Sequence, residues 1–378
     1  MIPVMKPWLG EEEARAAAEA VMSGWVAQGP RVAAFEEAVA RRVGAAHGVA
    51  VSSCTTALHL SLVVLGVGPG DEVVVPSLSF IATANAPLYV GARPVFADIE
   101  PDTLNLSADS IKQVLSPRTR AVILVHQAGF PADIDAVHAL CDPLSIAVIE
   151  DAACAIGSTY RGRPIGAGSD LVTFSFHPRK VITTGEGGMV MTSRADWAER
   201  LRRLREHGMN VSAAARHAAT SPVMERYLET GYNYRMTDIQ AAVGLIQLRR
   251  LDAIVARRRE LAARYREQLA DVPGVATVND PPYGSTNFQS YWIELLHGFP
   301  VERDQLLQLL MSSGISARRG IMAAHLEPAF AHFPPAVLPA TERLTRASLM
   351  LPLFHTMTGR EQRKVVAVLS NAARGARR

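Results

Sequence analysis

Between residues 49 and 193 the sequence alternates short apolar runs with helix-like stretches. The runs are rich in β-branched residues, and seven of them can be distinguished: 49–52, 72–75, 94–97, 121–125, 146–149, 171–174 and 188–192. Continuous apolar strands separated by helices predict an α/β fold with a mainly parallel seven-stranded sheet, flanked by helices on both faces. Because such sheets bind ligands at the carboxyl ends of their strands, residues that carry chemistry should directly follow these runs.

Helical patterns lie on both sides of this region. Residues 11–22 and 31–43 are predicted to form two helices ahead of the first strand. A pattern dense in Leu, Ala and Arg over 237–271 predicts one long helix, with Thr237 and Asp238 as its N-cap. Beyond it the composition changes, and a strand-like run at 290–296 indicates a second region of mixed α and β structure.

The chain length agrees with two structural units of unequal size. With 378 residues, the chain can bury the core of one large domain and of a smaller one. We predict a large domain with the N-terminal helices over 1–245. A smaller α+β C-terminal domain over 246–378 would include the linking helix.

Composition and charge argue against several classes of function. The net charge of +3 is spread along the chain and no aromatic residues are interleaved with its arginine clusters, so no nucleic acid partner is expected. Three cysteines without close spacing predict neither a disulfide framework nor a metal site. No apolar run reaches the roughly 20 residues of a membrane helix, and the first residues lack the apolar core of a signal peptide. The sequence therefore predicts a cytoplasmic protein without membrane contact.

Three segments combine residue types that suit a chemical site. Glu150 and Asp151 end an apolar run, where a carboxylate needs a positive or hydrogen-donating partner, although capping of the next turn explains them equally well. Lys180 follows another run and precedes the Gly-rich segment 183–188; a Schiff-base lysine needs such a close, partly desolvated position, although most lysines are surface charges. The Ser- and Thr-rich segment 52–58 would present backbone N–H groups to a phosphate, although such residues also cap ordinary helices.

Together the three segments fit one ligand. A phosphate would rest at Cys54 and Thr55, the carboxylate of Asp151 would face a pyridinium nitrogen, and the amine of Lys180 would bind an aldehyde carbon. These are the groups that hold pyridoxal 5′-phosphate (PLP), a cofactor that acts as an electron sink.

The sequence also resembles the DegT-type nucleotide-sugar aminotransferases, which include the perosamine-synthase-like enzymes of the PLP fold type I superfamily. The resemblance runs from about residue 1 to 365, and six segments carry it in the family's order: 70–77, 80–86, 150–153, 174–176 with Lys180, 183–188 and 231–236. It implies amino transfer from an amino acid, L-glutamate, to a keto group of a nucleotide-linked deoxysugar, with C4 favoured over C3. The cofactor would alternate between PLP and pyridoxamine phosphate.

The resemblance also implies roles for the central residues of the cofactor site. Lys180 matches the lysine that binds the cofactor and then moves a proton between the substrate carbon and the cofactor carbon. Asp151 matches the partner of the pyridine nitrogen, whose protonation it maintains. Phe80 matches an aromatic side chain that stacks on the cofactor ring. Some relatives carry histidine in place of the lysine and perform dehydration-type chemistry, so the presence of Lys180 argues against that branch.

Further residues match the phosphate end of the family's site. Thr55, Ser175 and the backbone of Cys54 correspond to a cradle around the cofactor phosphate. Asn233 corresponds to a residue that reaches the phosphate of the neighbouring subunit's cofactor. The resemblance thereby implies a homodimer with shared active sites.

Departures from the family's pattern concern mainly the two cysteines. Cys54 stands where the family often has Gly, so its thiol must point away from the phosphate. Cys154 stands where Gln or His usually lies beside the ring, and thiols are weak hydrogen-bond partners, so a packing role and a chemical role both stay open. His177, Arg319 and His325 lie in segments where the family contacts its substrates, and surface or structural roles explain them as well.

Three other interpretations differ in how far they depart from this one. The acceptor could instead be a free keto-sugar, a keto-cyclitol or another biosynthetic carbonyl. The chain could be a regulatory homologue that binds PLP without turnover, against which the presence of Lys180 and Asp151 argues. A nucleotide-binding oxidoreductase is disfavoured because no Gly-x-Gly-x-x-Gly follows the first strand.

Overall fold

A computed structural model describes residues 1–375 of the chain. Its α-helices are α1 Glu11–Met22, α2 Pro30–Val43, α3 Cys54–Val64, α4 Ile81–Tyr89, α5 Ala108–Lys112, α6 Ile134–Cys141, α7 Ala195–Leu204, α8 Ala213–Ala218, α9 Asp238–Arg249, α10 Leu251–Leu269, α11 Arg303–Ser312, α12 Pro339–Ala347 and α13 Gly359–Ala373. Its strands are β1 His47–Val51, β2 Glu72–Pro76, β3 Arg93–Ala97, β4 Thr119–Val125, β5 Ala147–Asp151, β6 Thr159–Tyr160, β7 Arg163–Pro164, β8 Val172–Ser175, β9 Gly188–Thr192, β10 Val275–Thr277, β11 Gly284–Ser285, β12 Tyr291–Leu295, β13 Arg318–Arg319 and β14 Ser348–Leu351. Short 3₁₀ helices occupy Gln127–Gly129, Asp142–Leu144, Ala324–Leu326 and Pro328–Phe330.

The seven predicted strands form one sheet, which confirms the predicted fold class. Their order is β1-β9-β8-β5-β4-β2-β3. Strand β9 runs antiparallel to both of its neighbours, and the other six strands run in one direction. Each observed strand begins and ends within two residues of its predicted bounds.

Both faces of this sheet are buried, as the unbroken apolar runs require. On β2, Val73 and Val75 pack into one apolar cluster with α3 and α7. The residue between them, Val74, packs into a second cluster on the opposite face with α6. All three valines have no exposed surface. The sheet is therefore a rigid central layer whose strand ends are fixed relative to one another.

The predicted long helix over 237–271 is two helices, which corrects that expectation. Arg250 ends α9 and begins α10, and its φ of −88° and ψ of −6° break the regular geometry. Its guanidinium donates to Glu13 at 2.7 Å, contacts Glu12 at 3.1 Å and lies 5.5 Å from the ring centre of Trp8. Arg250, where the helix bends, is therefore also the residue that contacts the N-terminal segment. The local helical pattern of the sequence does not predict this bend.

Beyond α10 the chain forms a smaller α+β unit. Its four-stranded sheet has the order β10-β12-β14-β13 with every neighbouring pair antiparallel. Tyr265 of α10 and Leu306 of α11 pack with Ile293 in its core. The N-terminal segment joins this unit, since Ile2 donates to the carbonyl of Gly314 at 2.8 Å. Within residues 1–375, no helix combines the length and the apolar character needed to cross a bilayer.

Candidate active site

A cavity of about 700 Å³ lies at the carboxyl ends of the large sheet and is closed on its other side by residues of the smaller unit. Nine of the eleven predicted site residues line it: Cys54, Thr55, Phe80, Asp151, Cys154, Ser175, His177, Lys180 and Arg319. They come from segments that follow β1, β2, β5 and β8 and from β13. The edge of the sheet thus gathers side chains that are far apart in the sequence, as expected for a doubly covered sheet.

Asp151 ends β5 at the floor of the cavity and is only 5% exposed. Its Oδ1 accepts a hydrogen bond from the N–H of Ala153 at 3.1 Å, and its Oδ2 accepts one from Thr83 Oγ1 at 3.0 Å. Burial raises the pKa of Asp151, and the N–H of Ala153, the Lys180 charge and the Thr83 hydroxyl only partly oppose this rise. A carboxylate in this environment is stabilised by a cationic hydrogen-bond donor that enters the cavity.

Lys180 lies in the turn that follows β8, and its Nζ donates to Cys154 Sγ at 3.1 Å. Burial by itself lowers the pKa of Lys180, but Cys154, Cys54 and Asp151 together raise it above its ordinary value. The amine is therefore held by specific partners at the cavity wall and does not extend into solvent. The thiol of Cys154, whose role the sequence left open, contacts the lysine that lines the cavity.

The N-terminus of α3 forms another part of the wall. Ser53 caps this helix by accepting the N–H of Thr56 at 3.2 Å. The thiol of Cys54 turns towards Thr173 Oγ1 at 3.7 Å and Asp151 Oδ1 at 4.0 Å. Because the thiol is directed to these partners, the backbone N–H groups of Cys54 and Thr55 can serve an anion at the helix end.

The Gly-rich segment before β9 is needed at this helix end for steric reasons. A Cβ on Gly188 would lie 2.3 Å from the carbonyl carbon of Ser53 and 2.5 Å from the nitrogen of Cys54. A Cβ on Gly187 would lie 2.4 Å from Thr184 Oγ1. Glycine at 188 therefore lets β9 pass close to the start of α3, and glycine at 187 leaves room for the side chain of Thr184.

Two aromatic side chains mark the open side of the cavity. Phe80 is 65% exposed although it is a large apolar residue in a buried region. Such a ring is available to stack on a flat ligand. His177 accepts the N–H of Arg179 at 3.2 Å through Nδ1, and its Nε2 lies 3.9 Å from Glu186. Partial burial lowers the pKa of His177 against the opposing charge of Glu186, so its imidazole is neutral at pH 7.

Positive charge is concentrated at the mouth of the cavity. Arg179, Arg318 and Arg319 line it together. Burial lowers the pKa of Arg318, and the nearby charge of Arg179 lowers it further. Arg319 contacts Glu327 at 3.4 Å, whereas neither Arg179 nor Arg318 forms an ion pair within residues 1–375. Two neighbouring cations without a carboxylate partner suit an anionic ligand.

The two remaining predicted residues lie away from this wall. Asn233 is exposed and forms an isolated β-bridge with Glu206. His325 is nearly buried: its Nδ1 lies 2.5 Å from Ser77 Oγ, and its Nε2 lies 3.7 Å from Glu342. In this position His325 links the end of β2 to the smaller unit. It does not line the cavity described above.

Several residues of the site were not anticipated from the sequence. Thr83, which holds Asp151, lies within the matched segment 80–86, so its place in that segment was an available signal. Gln289 and Arg318 line the cavity from the smaller unit. They follow no strand of the large sheet, so the strand-end rule could not find them.

The residues that line the cavity fit PLP by their chemistry. A buried carboxylate with a raised pKa, Asp151, faces the same cavity as an amine held at its wall, Lys180. The exposed ring of Phe80 and the backbone N–H groups at the start of α3 lie at the same cavity. These groups complement a pyridinium, an aldehyde, an aromatic ring and a phosphate.

Comparisons with known proteins agree with this assignment. A model of the DegT/DnrJ/EryC1/StrS aminotransferase family matches residues 7–370. The aminotransferase TlmJ from Streptoalloteichus hindustanus is 37% identical over 99% of both chains, with a TM-score of 0.91. DesI, solved in the presence of its TDP-sugar product, is 34% identical over 99% of this chain and 93% of its own, with a TM-score of 0.89. Spr1654 from Streptococcus pneumoniae, in its pyridoxamine phosphate form, is 26% identical over 99% and 100% of the two chains, with a TM-score of 0.93.

Proposed function

Because this chain belongs to the DegT/DnrJ/EryC1/StrS aminotransferase family, we propose that it is a PLP-dependent enzyme of nucleotide-sugar amination. It takes the amino group of an amino acid, L-glutamate, and transfers it to the keto group at C4 or C3 of a nucleotide-linked deoxysugar. The observation that carries this proposal is the meeting of Asp151, Lys180 and the N-terminus of α3 at one cavity. When bound there, PLP supplies an electron sink for the reacting carbon.

Several residues of the large domain that line the cavity would each have a defined task towards the cofactor. The amide groups of Cys54 and Thr55 and the hydroxyl of Ser175 hold its phosphate at the positive end of α3. Asp151 would hold a proton on the ring nitrogen, and its burial would keep competing water away from that contact. Phe80 would offer its exposed ring to one face of the cofactor.

Lys180 has the catalytic task. Its amine would hold the cofactor when PLP is bound, and at the cavity wall it is placed to take up and return the substrate's proton. The thiol of Cys154, 3.1 Å from Nζ, gives the released amine a hydrogen-bond partner. This contact would keep Lys180 at the cavity wall in both halves of the reaction.

The acceptor is recognised at the mouth of the cavity. Arg179, Arg318 and Arg319 supply positive charge there, and the first two have no ion pair within residues 1–375. A nucleotide-linked sugar carries a diphosphate, which arginines bind well. The relative DesI, whose product is a TDP-sugar, supports the same class of acceptor. Free keto-sugars and cyclitols lack this charge and fit the mouth less well.

The active protein is a homodimer with shared active sites. The exposed position of Asn233 supports this proposal, because a residue on the surface can reach a neighbouring subunit. In that arrangement the amide of Asn233 would help to hold the phosphate of the partner's cofactor.

One experiment tests the proposal directly. The visible spectrum of the purified protein is recorded with PLP, after addition of L-glutamate, and after borohydride reduction. We expect a visible band that bleaches with L-glutamate, and a reduced adduct on Lys180. Lys180→Ala should show neither band nor adduct while keeping its circular dichroism. A protein that stays colourless with PLP would contradict the proposal, and a band that L-glutamate leaves unchanged would indicate binding without turnover.

The acceptor is identified with a second measurement on the same protein. Nucleotide keto-sugars, the matching free keto-sugars and a keto-cyclitol are each offered to the pyridoxamine phosphate form. Return of the visible band with the nucleotide-linked compounds alone is the expected result. Equal rates with the free sugars would show that the diphosphate is not recognised.

A further inference from the structure

A five-residue segment, Thr286–Ser290, connects the smaller unit to the loops that carry the cofactor-site residues. We call it the strap. It leads into β12, whose core belongs to the smaller unit. Its residues Gln289 and Ser290 also line the cavity. The strap is thus the part of the chain where both units meet the candidate active site.

Two amide side chains of the strap bind backbone carbonyls on the two active-site loops. Gln289 Nε2 donates to the carbonyl of Arg179, which precedes Lys180, at 2.9 Å. Asn287 Nδ2 donates to the carbonyls of Cys154 and Ile156, at 2.8 Å each. The bond from Gln289 therefore fixes the peptide next to Lys180. The two bonds from Asn287 fix the loop that carries Cys154, whose thiol accepts the hydrogen bond from Lys180.

The strap has an unusual backbone that allows both contacts. Phe288 has a φ of +48°, a left-handed conformation that is uncommon for a bulky side chain. Two hydrogen bonds hold it there: Phe288 N–H donates to Thr286 Oγ1 at 3.1 Å, and Gln289 N–H donates to Asn287 Oδ1 at 2.8 Å. Strained residues persist where their surroundings over-determine them, commonly beside active sites.

Arg258 of α10 anchors the strap from behind. It is only 2% exposed, and its Nε donates to the carbonyl of Phe288 at 2.7 Å while its Nη2 donates to that of Gln289 at 2.5 Å. Burial lowers its pKa to about 10, so the guanidinium remains charged at neutral pH. It forms no ion pair within the described part of the chain. A buried charge-assisted contact to two successive carbonyls fixes the strap to the smaller unit.

From these contacts we propose that Asn287 and Gln289 are positioning residues for amino transfer, which hold Lys180 and Cys154 in register from the smaller unit. The inference rests on the proposed function. Lys180 would have to reach the same reacting carbon in each cycle, and a displacement of about 1 Å can cost about a hundredfold in rate. The strap supplies this register without contributing a reacting group.

Gln289→Ala is the first test, because Gln289 is only partly buried and its removal should leave the fold intact. In the holoenzyme we expect kcat of the L-glutamate half-reaction to fall about tenfold with little change in KM. The pH titration of the visible band should shift, since Lys180 then faces Cys154, Cys54 and Asp151 from an altered position. Gln289→Met, which keeps the length of the side chain and lacks the donor without adding a charge, should behave like Gln289→Ala.

Asn279→Ala is the matched control, because Asn279 is an exposed amide that contacts only Arg266 at 3.3 Å in the described chain. It should leave kcat and the pH titration as in the wild type. A second variant, Asn287→Ala, should reproduce the effects of Gln289→Ala, provided that circular dichroism shows it folded.

Three outcomes would overturn the inference. The first is a wild-type titration and kcat in both Gln289 variants. The second is a rise in KM alone, which would make Gln289 a substrate contact. The third is a wild-type protein without a visible band; it would overturn the proposed function at the same time and is recognised because it needs no variant.

Discussion

Asp151 and Thr83 illustrate what single residues decide at this site. The carboxylate of Asp151 is buried, and each of its oxygens accepts one hydrogen bond, Oδ2 from Thr83 and Oδ1 from Ala153. The remaining side faces the cavity, where the proposed ring nitrogen would complete its bonding. The sequence located Asp151 at a strand end, but its contact with Thr83 depends on where α4 lies relative to β5.

Asp151→Asn tests the charge without changing the size of the side chain. We expect kcat of amino transfer to fall about 10² to 10³-fold, because the ring nitrogen loses its anionic partner. PLP should still bind, which the visible spectrum would show. Thr83→Val, which removes one hydrogen bond worth about 1 kcal/mol, is the graded comparison and should cost far less activity. A wild-type kcat in the Asp151→Asn variant would exclude this role.

Cys154 gives a second prediction at this scale. Its thiol accepts a hydrogen bond from Lys180 at 3.1 Å, so Cys154→Ser keeps an acceptor and should retain most activity. Cys154→Ala removes the acceptor, and the loss of about 1 kcal/mol corresponds to about a fivefold lower kcat. Steady-state kinetics of the two variants side by side provide the measurement. A Ser variant that is inactive by orders of magnitude would show that sulfur itself is required.

Packing between secondary-structure elements controls the shape of the phosphate end. Strand β9 runs antiparallel between β1 and β8, and its first residue, Gly188, lies against the start of α3. The two consecutive glycines, Gly187 and Gly188, indicate that another part of the molecule lies close to the backbone. Only the tertiary structure shows that the start of α3 lies against Gly188.

Gly188→Ala should destabilise the protein by about 1–3 kcal/mol, because the new Cβ collides with the backbone of Ser53 and Cys54. We also expect weaker retention of PLP, since the start of α3 must shift. Gly68→Ala is the control, because its Cβ would meet nothing closer than 3.9 Å, and it should match the wild type. Chemical denaturation and cofactor dissociation measure both effects. Equal stability of the two variants would refute the steric argument.

Glu13, which contacts Arg250 at the bend between α9 and α10, should make the stability of the protein depend on pH. Burial alone would raise the pKa of Glu13, but hydrogen bonds from Gln247 and Gly10 and the charge of Arg250 lower it below 4.5. A lowered folded-state pKa stabilises the protein above pH 4.5, and this contribution is lost as the pH falls through the folded-state value. Glu13→Gln should therefore destabilise at pH 7 and show a smaller loss of stability on acidification. Denaturant midpoints at pH 7 and pH 4 would reveal this difference, and parallel losses in both proteins would contradict it.

At the scale of the whole molecule, two structural units form the site, and in the proposed homodimer a second subunit would add Asn233 to it. The large sheet supplies Lys180 and Asp151, whereas Gln289 and Arg318 come from the smaller unit.

We expect Asn233→Ala to weaken PLP retention about tenfold. This factor corresponds to about 1.4 kcal/mol, the loss of one hydrogen bond to a phosphate. The oligomeric state, measured by light scattering, should stay dimeric. If cofactor affinity is unchanged in the variant, Asn233 has no role across the interface.

Local sequence determined the positions of the strands and the two central residues. Apolar runs of the right length become buried strands wherever they lie, and the residues after them reach the carboxyl edge of a parallel sheet. Lys180 and Asp151 could therefore be placed at that edge from their neighbours in the chain. The three segments together already indicated the cofactor, the resemblance to a family added the reaction, and the comparisons confirm that family.

Tertiary structure alone decided how distant segments meet. No local pattern predicts the antiparallel direction of β9, the bend at Arg250 or the contact of Lys180 with Cys154. Each depends on residues that lie far apart in the sequence. The strap contacts the active-site loops from more than a hundred residues away, and His325 lies against Ser77 for the same reason. Periodicity and turn chemistry report the state of a few neighbouring residues, whereas these contacts depend on the packing of complete elements.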